Sequence, residues 1–291
     1  MSEVSKILIA YDGSACSDAA LNDLRRAGLP ASAEAVVVSV AYVFLPPPAG
    51  EADDDVVSPG AAPLVRPAQA QAEEAVRKAR AVAERGAQRV KADFPGWSVR
   101  AEADGDAPAW AVIKMADRMR ADLVVVGSHG HSSAGGRLIL GSVSQRVLYD
   151  APCSVRVARC ADARREGPVR LVVGFNGPHD EAAVEAVAAR AWPGGSEARV
   201  VVAKAVLNAE ARGVVGERLR AAGLTVSEAG REGDPAHVLI REAEEWGADS
   251  IFIGTRNVHG FRHLLHGSVS SAVAARAQCS VEVVRPAKAT S

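Results

Sequence analysis

The chain has 291 residues, enough for about two domains of ~150 residues each, and its 48% hydrophobic and 24% charged residues suit two globular cores. A net charge of −1 and only 4% aromatic residues argue against broad capture of nucleic acid or an anionic membrane, and against an aromatic RNA-binding sheet. No apolar run reaches the ~18 residues of a membrane-spanning helix, and the N-terminus lacks the layout of a signal peptide.

Short apolar strands alternate with helix-period segments from the N-terminus onward. The predicted elements are strand Ile7–Tyr11, helix Ser17–Arg26, strand Ala35–Val43, helix Ala70–Phe94, strand Ser98–Ala103, helix Ala109–Met119, strand Leu123–Gly127, helix Val143–Tyr149 and strand Ser154–Ala158. This alternation indicates an α/β fold, a doubly wound parallel sheet covered by helices on both faces. Ligands of such sheets lie beyond the carboxyl ends of the strands, at the topological switch point, so the loops after Tyr11, Val43 and Val126 are the first candidates.

The same series then repeats. Asp122–Arg159 and Asp249–Arg285 both read apolar strand, Gly, polar loop, Gly-Ser-Val-Ser, helix, Cys-Ser-Val, strand. The sequence therefore predicts two tandem five-stranded domains, residues 1–159 (the first half) and 169–288 (the second half), joined by the polar linker 160–168. The first half carries an extra stretch, Leu45–Pro67, rich in Pro, Ala and Asp. We expect a mobile surface excursion there, and a lid or partner-binding loop is the alternative.

A glycine-rich loop follows the fourth strand of the first half and leads into a helix. Its candidate phosphate-binding residues are Gly127, Gly130, Gly141, Ser142, Val143 and Ser144. Glycine lets the backbone turn tightly and approach a ligand closely, and the helix start offers free N–H groups and a positive dipole end to phosphate. The hydroxyls of Ser142 and Ser144 add donors. The alternative is that the glycines only make turns and the serines only cap helices.

Asp12 ends the first strand, before Gly13 and Ser14. Its carboxylate can bond a ribose or approach a phosphate-bound metal ion, or it can simply be a turn or N-cap acid. We assign no catalytic residue, because Ser142 and Ser268 begin helices without an identifiable base and orienter.

The segments ILIAYDGS, DLVVVGSHG and LGSVSQRVLYDAPCSVRV resemble the universal stress protein family, over nearly the whole chain taken twice. ATP-binding members of that family carry Gly-x2-Gly-x9-Gly-[Ser/Thr] and an Asp that ends strand one. The resemblance implies a Rossmann-like domain of the adenine-nucleotide α-hydrolase type that binds ATP. It places the phosphates on Gly127, Gly130, Gly141 and Ser142, Asp12 near the ribose and a Mg²⁺ or Mn²⁺ ion, and Val40 against adenine.

Both halves depart from the family pattern. The first half has ten residues, His131–Leu140, where nine are expected. The second half keeps nine, Val258–His266, but has Asn257 in place of the second glycine and Asn176 in place of Asp12. We therefore predict that ATP binds mainly in the first half and that the second site is degenerate.

The resemblance also implies pairing through the last strand of each domain, here Ser154–Ala158 and Ser280–Val284. Antiparallel pairing of these edges within one chain predicts an intramolecular pseudo-dimer, with any further homodimer weak. Arg156 and Glu282 point the same way and are expected to pair across this seam on a partly exposed face.

The histidines and cysteines carry weaker signals. A metal site is the alternative reading of the loop histidines, which we interpret as solvated: His129, His131, His259, His263 and His266. Cys153 and Cys279 enter equivalent strands as small buried hydrophobes, and four cysteines without CxxC spacing are typical of a reducing cytosol.

The functional prediction is a cytoplasmic stress-response module that binds ATP, hydrolyses it slowly at most, and acts through an unidentified protein partner, without binding nucleic acid or membrane. The alternatives are a nucleotide-independent scaffold and a weak ATP-hydrolysing enzyme. An adenylating enzyme would need a Ser-Gly-Gly-x-Asp-Ser-like loop after strand one, which Asp12-Gly13-Ser14-Ala15 does not fit.

Overall fold

The computed structural model describes residues 5–43, 62–130, 140–159, 167–203, 209–255 and 269–286. In the first half the elements are β1 (Lys6–Ala10), α1 (Ala15–Asp23), β2 (Glu34–Ala41), α2 (Ala62–Asp93), β3 (Ser98–Gly105), α3 (Pro108–Arg118), β4 (Leu123–Gly127), α4 (Ser142–Asp150) and β5 (Ser154–Ala158). In the second half they are β6 (Arg170–Gly174), α5 (Glu181–Ala188), β7 (Glu197–Val202), α6 (Ala209–Ala221), β8 (Thr225–Gly230), α7 (Pro235–Trp246), β9 (Ser250–Gly254), α8 (Val269–Arg276) and β10 (Ser280–Val284). Short 3-10 helices follow α1 (Leu24–Arg26) and precede α5 (Pro178–Asp180).

The strands form one ten-stranded sheet in the order β3-β2-β1-β4-β5-β10-β9-β6-β7-β8. All pairings are parallel except that between β5 and β10, which is antiparallel and joins the halves. The α/β fold and the intramolecular pairing of the two edge strands are therefore confirmed. In each half the chain order reverses beside the first strand, so the switch points lie between β1 and β4 and between β6 and β9.

The sheet is covered on both faces, as expected for apolar strands without alternation. On one face α3, α4, α7 and α8 pack into a single apolar cluster that includes residues of both halves. On the other face α1 and α2 cover the first half, and α5 and α6 cover the second, as two separate clusters. Within the described residues, no helix is both long and apolar enough to cross a membrane.

Local capping explains where the observed elements differ from the prediction. α1 begins at Ala15, two residues early, because the Ser14 hydroxyl accepts the Ser17 N–H at 3.2 Å. α2 begins at Ala62, so the predicted excursion Leu45–Pro67 is wrong for its last six residues. A proline in the first helical turn, such as Pro63, loses no backbone hydrogen bond. Residues 45–61 lie outside the described residues.

The pair at the centre of the seam is more buried than predicted. Arg156 stands directly opposite Glu282 in the register, and their Nη1 and Oε2 atoms are 3.3 Å apart. Both side chains are fully buried, because α1 and α5 cover this face. The expectation of a partly exposed face is therefore wrong.

Candidate functional site

The loops that follow β1 and β4 meet at the switch point of the first half. A Cβ built on Gly130 would lie 2.8 Å from Oδ2 of Asp12, closer than side chains tolerate. The backbone of the β4 loop therefore runs directly against the carboxylate that follows β1. Because the contact is with the outer end of the Asp12 side chain and both residues are exposed to solvent, a larger residue at position 130 would require that carboxylate to move.

The far end of the β4 loop returns to the same place. The N–H of Gly141 donates to the carbonyl of Ser128 at 2.9 Å, and a Cβ on Gly141 would lie 3.8 Å from the nitrogen of Gly130. Gly141 is the N-cap of α4 without a side-chain capping bond, and Ser142 is exposed at the first helical position. The predicted glycines thus come together with a helix N-terminus, although residues 131–139 between them lie outside the described part.

Close packing against backbone explains the glycine at position 127, whereas a Cβ on Gly141 would meet only ordinary contacts, the nearest at 3.4 Å. None of Gly127, Gly130 and Gly141 has a positive φ, so the expectation that they supply tight turns is wrong. A Cβ on Gly127 would lie 2.9 Å from the carbonyl group of Cys16, at the start of α1. The glycine that does occupy the left-handed region is Gly13, at φ +78°, in the loop after β1.

Asp12 combines the two roles that its position suggested. Its Oδ1 accepts the N–H of Ser14 at 2.9 Å, which fixes the turn into α1. Its Oδ2 faces Gly130. One carboxylate oxygen is thus engaged in the turn, and the other lies at the crevice.

Val40 lies near the carboxyl end of β2, in register with Asp104 of β3. It is partly buried and packs against the apolar cluster that α3 helps to form. The structure therefore places it on the strand next to β1, at the same edge of the sheet as Asp12.

Two residues of the α4 start have a structural role. The hydroxyl of Ser144 is buried and donates to the carbonyl of Gly127 at 2.6 Å, so the prediction that it donates to phosphate is wrong. This bond ties α4 to the end of β4. Val143 is partly buried against the apolar cluster.

His129 is the residue that the sequence interpretation undervalued. Its side chain is half-buried rather than solvated, with Nδ1 3.1 Å from the Ser128 hydroxyl. Its Nε2 is buried and has no hydrogen-bond partner in the part of the chain described. The position of His129 between Gly127 and Gly130 was the one feature of the sequence that could have indicated its burial. The other four loop histidines lie outside the described residues, among which no cluster of three or more potential metal ligands occurs.

In the second half, the residue that corresponds to Asp12 makes different contacts. Asn176 Oδ1 accepts the N–H of Ala203 at 2.9 Å, and the N–H of Asn176 donates to Asp180 Oδ2 at 2.8 Å. A Cβ on Gly254, which ends β9, would lie 2.4 Å from the carbonyl oxygen of His179. The loop with Asn257 lies outside the described residues.

The strand registers make this difference specific. Tyr11 N–H bonds the carbonyl of Val38, and Phe175 N–H bonds that of Val201. Ala203 is therefore the counterpart of Val40. In the second half, Asn176 ties the end of the first strand to the residue that corresponds to the predicted adenine contact.

A cavity of about 570 Å³ lies elsewhere, between the halves, lined in part by Asn22, Arg159 and Asp249. None of the predicted site residues lines it, so it is separate from the crevice between β1 and β4.

Of the two cysteines predicted to be small buried groups, Cys153 is buried and Cys279 is partly buried. Burial raises the pKa of the Cys279 thiol to about 12. The Cys279 thiol is therefore protonated at neutral pH.

Comparison with known proteins gives a consistent result. The family model described as "Universal stress protein family" matches residues 3–159 and again 164–285. A universal stress protein of Mycolicibacterium smegmatis is 30% identical over 303 aligned residues, covering 96% of this chain and 97% of that protein. Among solved structures, a universal stress protein of Archaeoglobus fulgidus has a TM-score of 0.67 at 22% identity and covers 96% of this chain and 98% of its own. An Arabidopsis thaliana member solved with AMP bound matches 42% of this chain and 94% of its own, with 15% identity and a TM-score of 0.33.

Proposed function

Because this chain belongs to the universal stress protein family, we propose that its first half binds an adenine nucleotide, specifically ATP, in the crevice between the loops after β1 and β4. The observation that carries the proposal is the convergence of Gly130, Gly141 and Asp12. A Cβ on Gly130 would crowd the Asp12 carboxylate, and the N–H of Gly141 donates to the carbonyl of Ser128. A backbone surface next to a helix N-terminus suits phosphate.

Each residue of the crevice has a role that follows from its chemistry. The backbone of Gly130 and Gly141 and the start of α4, with the exposed hydroxyl of Ser142, would hold the phosphates. Asp12 would lie near the ribose, and Val40 would offer adenine an apolar contact.

A metal ion fits this site only together with the nucleotide. Mg²⁺ and Mn²⁺ are commonly held by one or two carboxylates and by substrate phosphates. One oxygen of Asp12 accepts the Ser14 N–H, so the carboxylate already has a role in the turn and is not dedicated to an ion. The ion would therefore be bound mainly through the phosphates, and its contribution would be charge neutralisation.

The second half would not bind ATP with comparable affinity. Asn176 is neutral and is held by Ala203 and Asp180. This turn favours a structural role for the second half. The alternative of a nucleotide-independent scaffold would then apply to that half alone. With no catalytic residue assigned, the output of binding would be conformational or through a protein partner, in the cytoplasm, with slow hydrolysis at most.

Calorimetry on the full-length protein tests the proposal. We expect one ATP per chain in the presence of Mg²⁺, and at least about tenfold weaker binding of adenosine, since phosphate contacts at a helix N-terminus contribute most of the affinity. Equal affinity for adenosine and ATP, or two equivalent sites, would contradict the assignment.

A further inference from the structure

The seam between the halves is a nearly symmetric structure around one pair of residues. β5 and β10 pair with Val155 opposite Val283, Arg156 opposite Glu282 and Val157 opposite Val281. Arg156 and Glu282 hold the same position in SVRVA and SVEVV. The pseudo-twofold axis therefore passes between them, and each residue meets its own counterpart from the other half.

The outer contacts of the seam obey this symmetry. The N–H of Arg159 donates to the Ser280 hydroxyl at 3.2 Å, and the N–H of Arg285 donates to the Ser154 hydroxyl at 3.1 Å. Each of these two arginine side chains also donates to a carbonyl of the other half's last helix, to Ala274 of α8 and to Leu148 of α4. Such contacts would form equally well between like and unlike halves, so they do not select a partner.

The centre of the seam breaks the symmetry by charge. Arg156 donates to Asp23 of α1 from Nε at 2.6 Å and from Nη2 at 3.0 Å. Glu282 accepts from Arg190, which follows α5, with Nη1 2.9 Å from Oε2. The central charges, each with a counter-charge from its own half, then meet each other at 3.3 Å. Four charges of alternating sign thus lie in a row across the seam.

This row has little access to water. Arg156 and Glu282 are fully buried, and the side chains of Asp23 and Arg190 are only 12% and 13% exposed. Arg156 also donates to the hydroxyl of Ser250 on β9 at 2.8 Å, and Asp23 accepts from the hydroxyl of Ser280 on β10. Burial lowers the pKa of Arg156, but the carboxylates of Asp23 and Glu282 raise it further, to above its ordinary value.

We propose that the buried pair of Arg156 and Glu282 makes each edge strand selective for the unlike half and excludes pairing between like halves. The partner that fits the β5 edge is a β10 edge, from the same chain or, by exchange of halves, from a second copy. Two first halves would bring Arg156 against Arg156 on the twofold axis, and two second halves would bring Glu282 against Glu282. Desolvated like charges at this distance are strongly unfavourable. This inference is independent of nucleotide binding.

Charge reversal within one half at a time tests the selectivity in the full-length chain. The first variant, Asp23→Arg with Arg156→Glu, keeps an ion pair between positions 23 and 156 of the first half. It places a carboxylate at position 156 opposite that of Glu282. The second, Arg190→Asp with Glu282→Arg, makes the centre basic on both sides. We expect each to lower the unfolding midpoint by about 5–10 °C, as for a buried charge that loses its partner. We call these two double variants the block variants. Combining them in a four-fold variant restores the alternating charges, and we expect its unfolding midpoint to fall less than that of either block variant.

The control reverses an ion pair that is exposed on both sides, Glu185→Arg with Arg218→Glu, between α5 and α6, and should shift the midpoint by about 1 °C or less. If the four-fold variant loses as much as the two blocks added together, the proposal is overturned. Should a block variant fail to fold, Arg156→Gln, Glu282→Gln and their combination decide instead. A combined loss smaller than the sum supports the pair as a selective unit, and additive losses overturn it.

Mixing the two block variants gives a second readout. One chain then has two acidic edges and the other two basic edges, so unlike edges exist only between chains. Native mass spectrometry should show mixed dimers in excess of those that either variant forms alone. Equally abundant like dimers would overturn the proposal.

Discussion

The first and second halves end their leading strands in different ways. After β1, Asp12 directs one oxygen to the turn and the other to Gly130. After β6, the side-chain oxygen of Asn176 accepts the N–H of Ala203, and a 3-10 turn brings the carbonyl of His179 against Gly254. The same strand order is thus followed by different contacts in the two halves: Asp12 bonds within its own turn and lies against Gly130, whereas Asn176 bonds across to Ala203 after β7. Repetition of a fold does not imply repetition of a site, because the site depends on the few residues beyond the strand ends.

Among the substitutions that should remove the difference between the halves, we expect the largest loss of ATP affinity from a change of Gly130. Gly130→Asp would place a side chain against Asp12 and a negative charge beside the phosphates. We expect ATP affinity to fall by at least about 100-fold, close to the behaviour of the second half. Gly130→Ala should fall in between. Gly213→Ala, in an open position of α6, is the control. Calorimetry that shows unchanged affinity in Gly130→Asp would place the nucleotide elsewhere.

The charge of Asp12 comes next in size. Asp12→Asn keeps an acceptor for the Ser14 N–H, so the turn should survive while the charge is lost. We expect affinity for Mg²⁺-ATP to fall by about tenfold, and affinity for metal-free ATP to fall less, because the carboxylate no longer attracts the ion. Titrations with and without chelator measure the ratio. An equal loss in both would show that Asp12 does not act through a metal ion.

A third variant tests whether the second half is closed by its own bonds. Asn176→Ala removes the acceptor of the Ala203 N–H, and we expect the free energy of unfolding to fall by about 1 kcal/mol with ATP stoichiometry unchanged. Asn176→Asp retains an acceptor and serves as the matched control. Chemical denaturation gives the stability. A second bound ATP in Asn176→Ala would show that this bond is what keeps the nucleotide out, and one in Asn176→Asp would show that the missing charge is.

The smallest effects are expected from alanine substitutions of Ser142 and Ser144 at the start of α4, which should differ in whether they lower stability or ATP affinity. Ser144→Ala leaves the Gly127 carbonyl without its donor, so it should cost about 1 kcal/mol of stability. Ser142→Ala should leave stability unchanged and weaken ATP by about two- to fivefold, as for one exposed donor to phosphate. A reversed pattern would exchange the roles of the two serines.

The strands were the most predictable part of the molecule. β4 and β5 match the sequence-based bounds residue for residue. β4 is a buried apolar run between polar residues, and in β5 two buried valines flank Arg156. Helix starts were less accurate, because α1 depends on a single hydroxyl at Ser14 and α2 begins among prolines. The switch point followed from the alternation of elements alone.

The site was predictable in place but not in detail. Spacing identified Gly130 and Gly141 as parts of one loop, whereas the role of Ser144 depends on a backbone carbonyl 17 positions earlier. The burial of Arg156 could not be foreseen either, because its counter-charge comes from Asp23, 133 residues away, and its cover from α1. Contacts of this range exist only once the sheet is assembled.

The antiparallel junction also has a consequence for the order in which the molecule is made. The partner strand of β5 comes 126 residues later in the chain, counted from Arg156 to Glu282. At ~5–20 residues per second, a ribosome needs roughly 6–25 s to deliver that strand. During this interval the first half presents an uncovered edge to the crowded cell. A guanidinium in the middle of that edge is the kind of charge that keeps nascent strands from joining one another. Arg156 would thus oppose association of the exposed β5 edge during synthesis, before it is buried in the seam of the folded protein.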